Sequence, residues 1–104
     1  MTEPDLPTLE RAVLAVGGVA ALHGGVHGTI ATYLPGRRIR GLRVEDGEAH
    51  VHLTLYEGTD LIAVADAVRL AVARVLGHES RSVVVTIEDL VPYPPELSTP
   101  QESS

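Results

Sequence analysis

The chain has 104 residues with 14 acidic and 8 basic side chains, a net charge of −6 and no cysteine. This length suits one domain with its own core, and the missing thiols exclude disulfides and thiolate metal sites. The acidic balance and the low aromatic content argue against a nucleic-acid partner. No apolar stretch reaches the roughly 20 residues of a membrane span, and the acidic, proline-containing start does not resemble a signal peptide.

The first third of the chain is predicted to contain one short helix and two strands. Residues 1–8 are expected to be a flexible lead-in, and Thr8 is placed to cap a helix that begins at Leu9. A pair of glycines ends that helix. Val19–Leu22 is predicted to be a strand, and residues 29–34, rich in β-branched and aromatic side chains, are predicted to be a second one.

The clearest pattern in the chain is a β-hairpin. Residues 39–45 and 48–56 flank Asp46-Gly47, a dipeptide typical of a two-residue type I′ turn. Directly paired residues share a face, so counting outward from this turn divides the side chains into two sets. The apolar face carries Leu42, Val44, Ala49, Val51, Leu53 and Leu55, and the opposite face carries Arg43, His50, His52, Thr54 and Tyr56.

The remaining part of the chain is predicted to form a second helix and a last strand. Thr59 or Asp60 can cap a helix that runs to about Leu76, with an apolar stripe that faces the core. Residues 82–90 alternate as a strand does, and residues 92–104 are expected to be a proline-rich disordered tail. The apolar stripe of the helix consists of Leu61, Val64, Ala65, Val68, Val72 and Val75.

This order of elements predicts the architecture of a single domain over residues 9–91. We expect an α+β fold in which a mostly antiparallel sheet of three to five strands packs one face against two helices. The opposite face of the sheet is then left polar, with Arg43, His50 and His52 on it.

The elements also carry a resemblance to a known family. The features that carry it are residues 41–44 (Gly-Leu-Arg-Val), residues 56–58 (Tyr-Glu-Gly), the amphipathic helix that follows, and residues 83–90 (Val-Val-Val-Thr-Ile-Glu-Asp-Leu). In this order they resemble the alkaline shock protein family of envelope stress-response proteins. Residues 33–38 (Tyr-Leu-Pro-Gly-Arg-Arg) look most like short actinobacterial members.

The resemblance implies a function that does not involve catalysis. Members of such a family are expected to be cytoplasmic, non-enzymatic scaffold or adaptor proteins that self-associate into homo-oligomers. They are held at the inner face of the cell membrane by a membrane-anchored protein partner. The resemblance brings no catalytic residue and no cofactor to carry over.

A binding surface is predicted within residues 22–44, where glycines, arginines and two histidines are concentrated. Guanidinium groups pair with carboxylate or phosphate through a planar fork. The alternative, that these arginines are solvated and only offset nearby acidic residues, stays open. The predicted partner-binding residues are Arg37, Arg38, Arg40, Arg43 and Tyr56.

The alternative function is a histidine-based sensor. His50 and His52 share a strand face and could hold a zinc ion with His23 or His27 as a further ligand, or respond to pH near neutrality. Two solvent-facing strand histidines are the simpler interpretation. No nucleophile elbow, phosphate loop or zinc-protease motif occurs, so an enzyme is the least favoured class.

Overall fold

The structure, a computed structural model, describes residues 5–25, 30–77 and 82–94, and these ranges contain two helices and six strands. Both helices pack against the sheet, which confirms the predicted α+β class. In chain order the elements are α1 (Leu6–Leu14), β1 (Val19–Leu22), β2 (Ala31–Leu34), β3 (Arg37–Arg40), β4 (Leu42–Glu45), β5 (Glu48–Tyr56), α2 (Leu61–Leu76) and β6 (Ser82–Val91).

Strand β5 is the centre of the main sheet, and two short strands lie end to end along one of its edges. β4 pairs antiparallel with residues 48–51, and β1 pairs antiparallel with residues 53–55. They meet at His52, whose N–H donates to the carbonyl of Gly41 (2.9 Å) and whose carbonyl accepts from the N–H of His23 (2.8 Å). β2 and β3 form a separate antiparallel hairpin.

The register of the β4–β5 hairpin is the one that the sequence predicts. Leu42 lies opposite Val51, and the pairing continues to the turn without a shift. Asp46 and Gly47 have φ angles of 53° and 79°, the positive values that a type I′ turn requires. The local turn therefore sets which side chains face the core.

The prediction of a single strand over residues 39–45 is wrong because Gly41 interrupts it. Gly41 has a φ angle of 81°, and the chain passes there from β3 to β4, which belong to different sheets. A Cβ atom at this position would lie 2.9 Å from the nitrogen of His23, the oxygen of His52 and the Cβ of Leu22. Only glycine fits in this conformation at the point where the end of β1 meets β4 along the edge of β5.

The hydrophobic core lies between β5 and the two helices. The predicted apolar face of the hairpin is buried, except that Val44 is half-buried at its margin. Two predictions differ: Leu61 is 37% exposed at the start of α2, and Thr54, predicted on the polar face, is only 8% exposed. The fully buried side chains from sheet and helices include Leu42, Val51, Leu53, Leu55, Leu9, Val13, Val68 and Val72.

Helix α1 begins three residues before the predicted start, and Asp5 rather than Thr8 is its N-cap. The Oδ1 atom of Asp5 accepts the N–H of Thr8 at 3.1 Å. Pro7 lies in the first turn, where its missing N–H leaves no hydrogen bond unmade. Helix α2 is capped by Asp60, one of the two residues predicted for that role. Neither described helix is long and apolar enough to cross a membrane.

Strand β6 pairs with the second edge of β5 and runs parallel to it, since the chain crosses over through α2. The pairing is regular as far as Ile87, after which Glu88 forms a bulge before Asp89. The core-facing side chains Val83, Val85 and Ile87 are only half-buried, whereas their counterparts on β5 are fully buried. β6 therefore covers the core incompletely at the margin of the sheet.

Candidate functional site

The β2–β3 hairpin determines where the predicted arginines lie. Arg38 pairs with Tyr33 and Arg40 pairs with Ala31, so Arg38 and Arg40 share a face of the hairpin. Ile39 alternates to the other face and is fully buried in the core. The Arg-Ile-Arg sequence thus anchors the strand by its middle residue and leaves both arginines exposed.

Arg38 and Arg40 line an open groove between β3 and β1. The groove consists of two adjoining cavities of about 460 Å³ each, which share Leu22 and both arginines as walls. One cavity extends to α1 and the other to the turn after β1. The first is also lined by Glu10, Leu14, Ala20 and Ala21, and the second by His23, Gly24, Gly25 and Thr54.

The electrostatics of this groove are unbalanced. Within residues 5–25, 30–77 and 82–94, the guanidinium groups of Arg38 and Arg40 make no hydrogen bond or ion pair. Glu10, the carboxylate that lines the groove, is already engaged, because Nη2 of Arg37 donates to its Oε1 at 2.9 Å. Two guanidinium groups are left to bind an acidic ligand.

Arg43 does not line the groove. It lies on the face of the main sheet that carries His50 and His52 and points away from the helices, which we call the open face. It pairs with His50 across the hairpin and, with His52, Glu45 and Ile30, lines a separate cavity of about 250 Å³. Arg43 is separated from Arg38 and Arg40 because the chain passes at Gly41 from the β2–β3 hairpin to the main sheet. The predicted arginine surface is therefore divided into two places.

His50 and His52 lie on the same face, as the register predicts, but each contacts a carboxylate. Nε2 of His50 lies 2.9 Å from Oε1 of Glu48, and Nδ1 of His52 lies 2.6 Å from Oε2 of Glu88. Sequence reasoning missed Glu88 as a partner, although Glu88 is on the polar side of the alternation in β6. Placing β6 next to β5 would have revealed it.

The ring of His23, another predicted ligand, makes its hydrogen bond within its own segment. Nδ1 of His23 accepts the N–H of Gly25 at 2.9 Å and so closes the turn after β1. His27 lies outside the described residues. In the part of the chain that the structure describes, no group of three or more His, Asp or Glu side chains could hold a metal ion.

Tyr56 lies at the far end of β5 and contacts the segment after β6. Its ring packs against that of Tyr93, with centroids 4.9 Å apart and ring planes inclined by 51°. It lines neither half of the groove that holds Arg38 and Arg40. The structure therefore assigns Tyr56 a packing contact rather than a place beside the arginines.

The walls of the groove were also missed by sequence reasoning. Leu14 and the alanines of β1 line it because α1 and β1 lie across from β3, a long-range arrangement without a local signal.

Comparison of the chain with protein-family models, with curated proteins and with solved structures finds no match in any of the three.

Proposed function

We propose that this protein is a non-enzymatic adaptor that binds an acidic segment of a partner protein in the groove beside Arg38 and Arg40. The observation that supports this is the pair of adjacent exposed arginines with no ion-pair partner among the described residues. On a chain with a net charge of −6, most of the surface repels an acidic segment. The arginine pair is where attraction is concentrated.

The spacing of the two arginines favours an extended ligand. Alternate residues of a strand are about 6.6 Å apart, and the same spacing separates alternate side chains of an extended peptide. A partner with Asp or Glu at every second position can therefore place one carboxylate against each guanidinium group. Leu14, which is 43% exposed, and the alanines of β1 offer apolar contact along the same groove.

The resemblance to the alkaline shock protein family supplies the cellular setting of this proposal. In that setting the protein acts in the bacterial cell-envelope stress response, in the cytoplasm. It self-associates, and the acidic segment belongs to a membrane-anchored protein that holds it at the inner face of the membrane.

A synthetic peptide with glutamate and threonine in alternation provides a direct test. Charged hydrogen bonds contribute about 1.5–3 kcal/mol each, so reversing both charges in Arg38→Glu/Arg40→Glu should weaken binding by about two orders of magnitude or more. The matched control is Arg69→Glu/Arg74→Glu, which makes the same charge change on the exposed side of α2. Fluorescence anisotropy at fixed ionic strength measures both affinities.

A cross-linking experiment tests the proposal in cells. Tyr33 is 72% exposed on the face that carries Arg38, so a photoreactive amino acid in its place should cross-link a membrane protein. The same amino acid at Ile62, which is 75% exposed on α2, is the control. Equal peptide affinities for the two charge-reversed variants, or equal cross-links from the two positions, would reject the groove.

A further inference from the structure

The outer edge of β6 is the longest unpaired strand edge in the described part of the chain. β6 has 10 residues and pairs only with β5 there, whereas the other strands with an unpaired edge have 4 residues each. An unpaired edge presents a row of backbone N–H and C=O groups that can accept another strand. A ten-residue edge is long enough for specific strand addition.

The first part of this edge carries none of the features that usually prevent strand addition. Residues 82–87 (Ser-Val-Val-Val-Thr-Ile) contain no charge, no proline and no glycine, and all but the serine are β-branched. Edge strands are commonly protected by lysine, by proline or by a bulge. In β6 the bulge at Glu88 and the charge of Asp89 come only after this stretch.

Apolar surface accompanies the unpaired backbone on both faces of β6. Val83, Val85 and Ile87 are half-buried on the core face, and Val84 is 40% exposed on the open face. A neighbouring strand along the outer edge would cover side chains on both faces. The edge therefore fits a strand that is itself apolar and uncharged, and residues 82–87 of another copy are such a strand.

We propose that β6 pairs antiparallel with β6 of a second copy of this chain, so that two sheets join across a two-fold axis. A register centred on Val85 places Val83 opposite Ile87 and Val84 opposite Thr86. Both core faces then lie on the same side of the joined sheet, because paired residues share a face. Glu88 falls opposite Ser82, so that no two carboxylates oppose each other.

A second copy suits this edge better than an unrelated strand because a two-fold pairing uses the unpaired edges of both molecules and closes the assembly. The pairing deepens the self-association contained in the proposed function and names its surface. It does not require the arginine groove, which lies on the opposite side of β5.

The decisive variant is Val84→Lys/Thr86→Lys. In the proposed register the two lysines of one copy lie directly opposite those of the other, and like charges in this arrangement repel. Sedimentation equilibrium should show a dimer for the wild type and a dimer dissociation constant about 100-fold higher for this variant, because like charges opposed across an interface strongly disfavour association. The control Ile62→Lys/Leu70→Lys adds the same charge at exposed apolar positions of α2 and should leave the dimer intact.

Charge complementation distinguishes a lost interface from a damaged fold. Mixing Val84→Lys/Thr86→Lys with Val84→Glu/Thr86→Glu should yield a one-to-one heterodimer, since lysine then lies opposite glutamate. Should either double variant fail to fold by circular dichroism, mixing the single variants Val84→Lys and Thr86→Glu still places one lysine directly opposite one glutamate and should yield the heterodimer. A monomeric wild type at all concentrations, an undiminished dimer of the lysine variant, or a mixture without heterodimer would overturn the proposal.

The experiments can refute the strand pairing and the arginine groove independently of each other. A wild type that remains monomeric but binds the glutamate peptide would remove the strand pairing and leave the groove standing. A dimer that is broken by the lysine variant but does not bind the peptide would remove the groove alone.

Discussion

Replacing Gly41 by alanine should destabilise the fold more than the conformation of Gly41 alone would suggest. A positive φ angle costs a residue with a Cβ about 1–2 kcal/mol. The added Cβ would also lie 2.9 Å from backbone atoms of His23, which directly follows β1, and of His52 in β5, and these two segments are hydrogen-bonded to each other and cannot both move aside. Overpacking of this kind costs about 1–3 kcal/mol. Gly41→Ala should therefore lower the free energy of unfolding by about 2–5 kcal/mol.

The matched control for this substitution is Gly36→Ala. Gly36 has a φ angle of 78° in the turn of the β2–β3 hairpin, and nothing lies within 4 Å of a Cβ built there. Its replacement should therefore cost only the conformational part, about 1–2 kcal/mol. Urea denaturation followed by circular dichroism measures both values. Equal losses of stability for the two variants would refute the close approach of the His23 and His52 backbone to Gly41.

Two further substitutions test the N-terminal cap of α1 and the packing of the hydrophobic core. Hydrogen bonding to Thr8 lowers the pKa of Asp5 below its ordinary value of 3.8. The stability that this carboxylate contributes is thus present above that value and lost as the pH falls through the lowered pKa. Asp5→Ala should lower the urea midpoint at neutral pH, and the difference from wild type should vanish in strong acid; a constant difference would contradict the capping role. Leu53→Ala, at a fully buried position, should cost about 2–5 kcal/mol in calorimetry, whereas Leu70→Ala, at a position 53% exposed, should cost far less.

The features that could be predicted are those with a local physical cause. The Asp46-Gly47 turn and the alternation around it determine the register of the β4–β5 hairpin without reference to the rest of the chain. The cap at Asp60 and the apolar stripe of α2 are equally local. The start of α1 differs from the prediction although its signals are local too, because Asp5 and Pro7 lie in the expected lead-in and supply a cap and a residue suited to a first turn.

The candidate site could be predicted only in part because it depends on contacts between distant segments. The arginines between residues 37 and 43 form one run in the sequence, but the close approach at Gly41 separates Arg43 from the others. Likewise, the contact between His52 and Glu88 follows from the parallel placement of β6, which no short pattern indicates. Long-range pairing decides which of the predicted residues meet.

The end-to-end placement of β1 and β4 along β5 has a consequence for the order of folding. The β4–β5 hairpin closes through a two-residue turn and should form within about 1–10 μs. β1 and β6 each pair with β5 across more than 30 residues, as with Leu22 and Leu53, so both must wait for a long loop to close. Since β1 forms one wall of the arginine groove, a chain in which only the hairpin has folded has no groove. Peptide binding should therefore appear only after the β4–β5 hairpin is complete, once β1 has paired with β5.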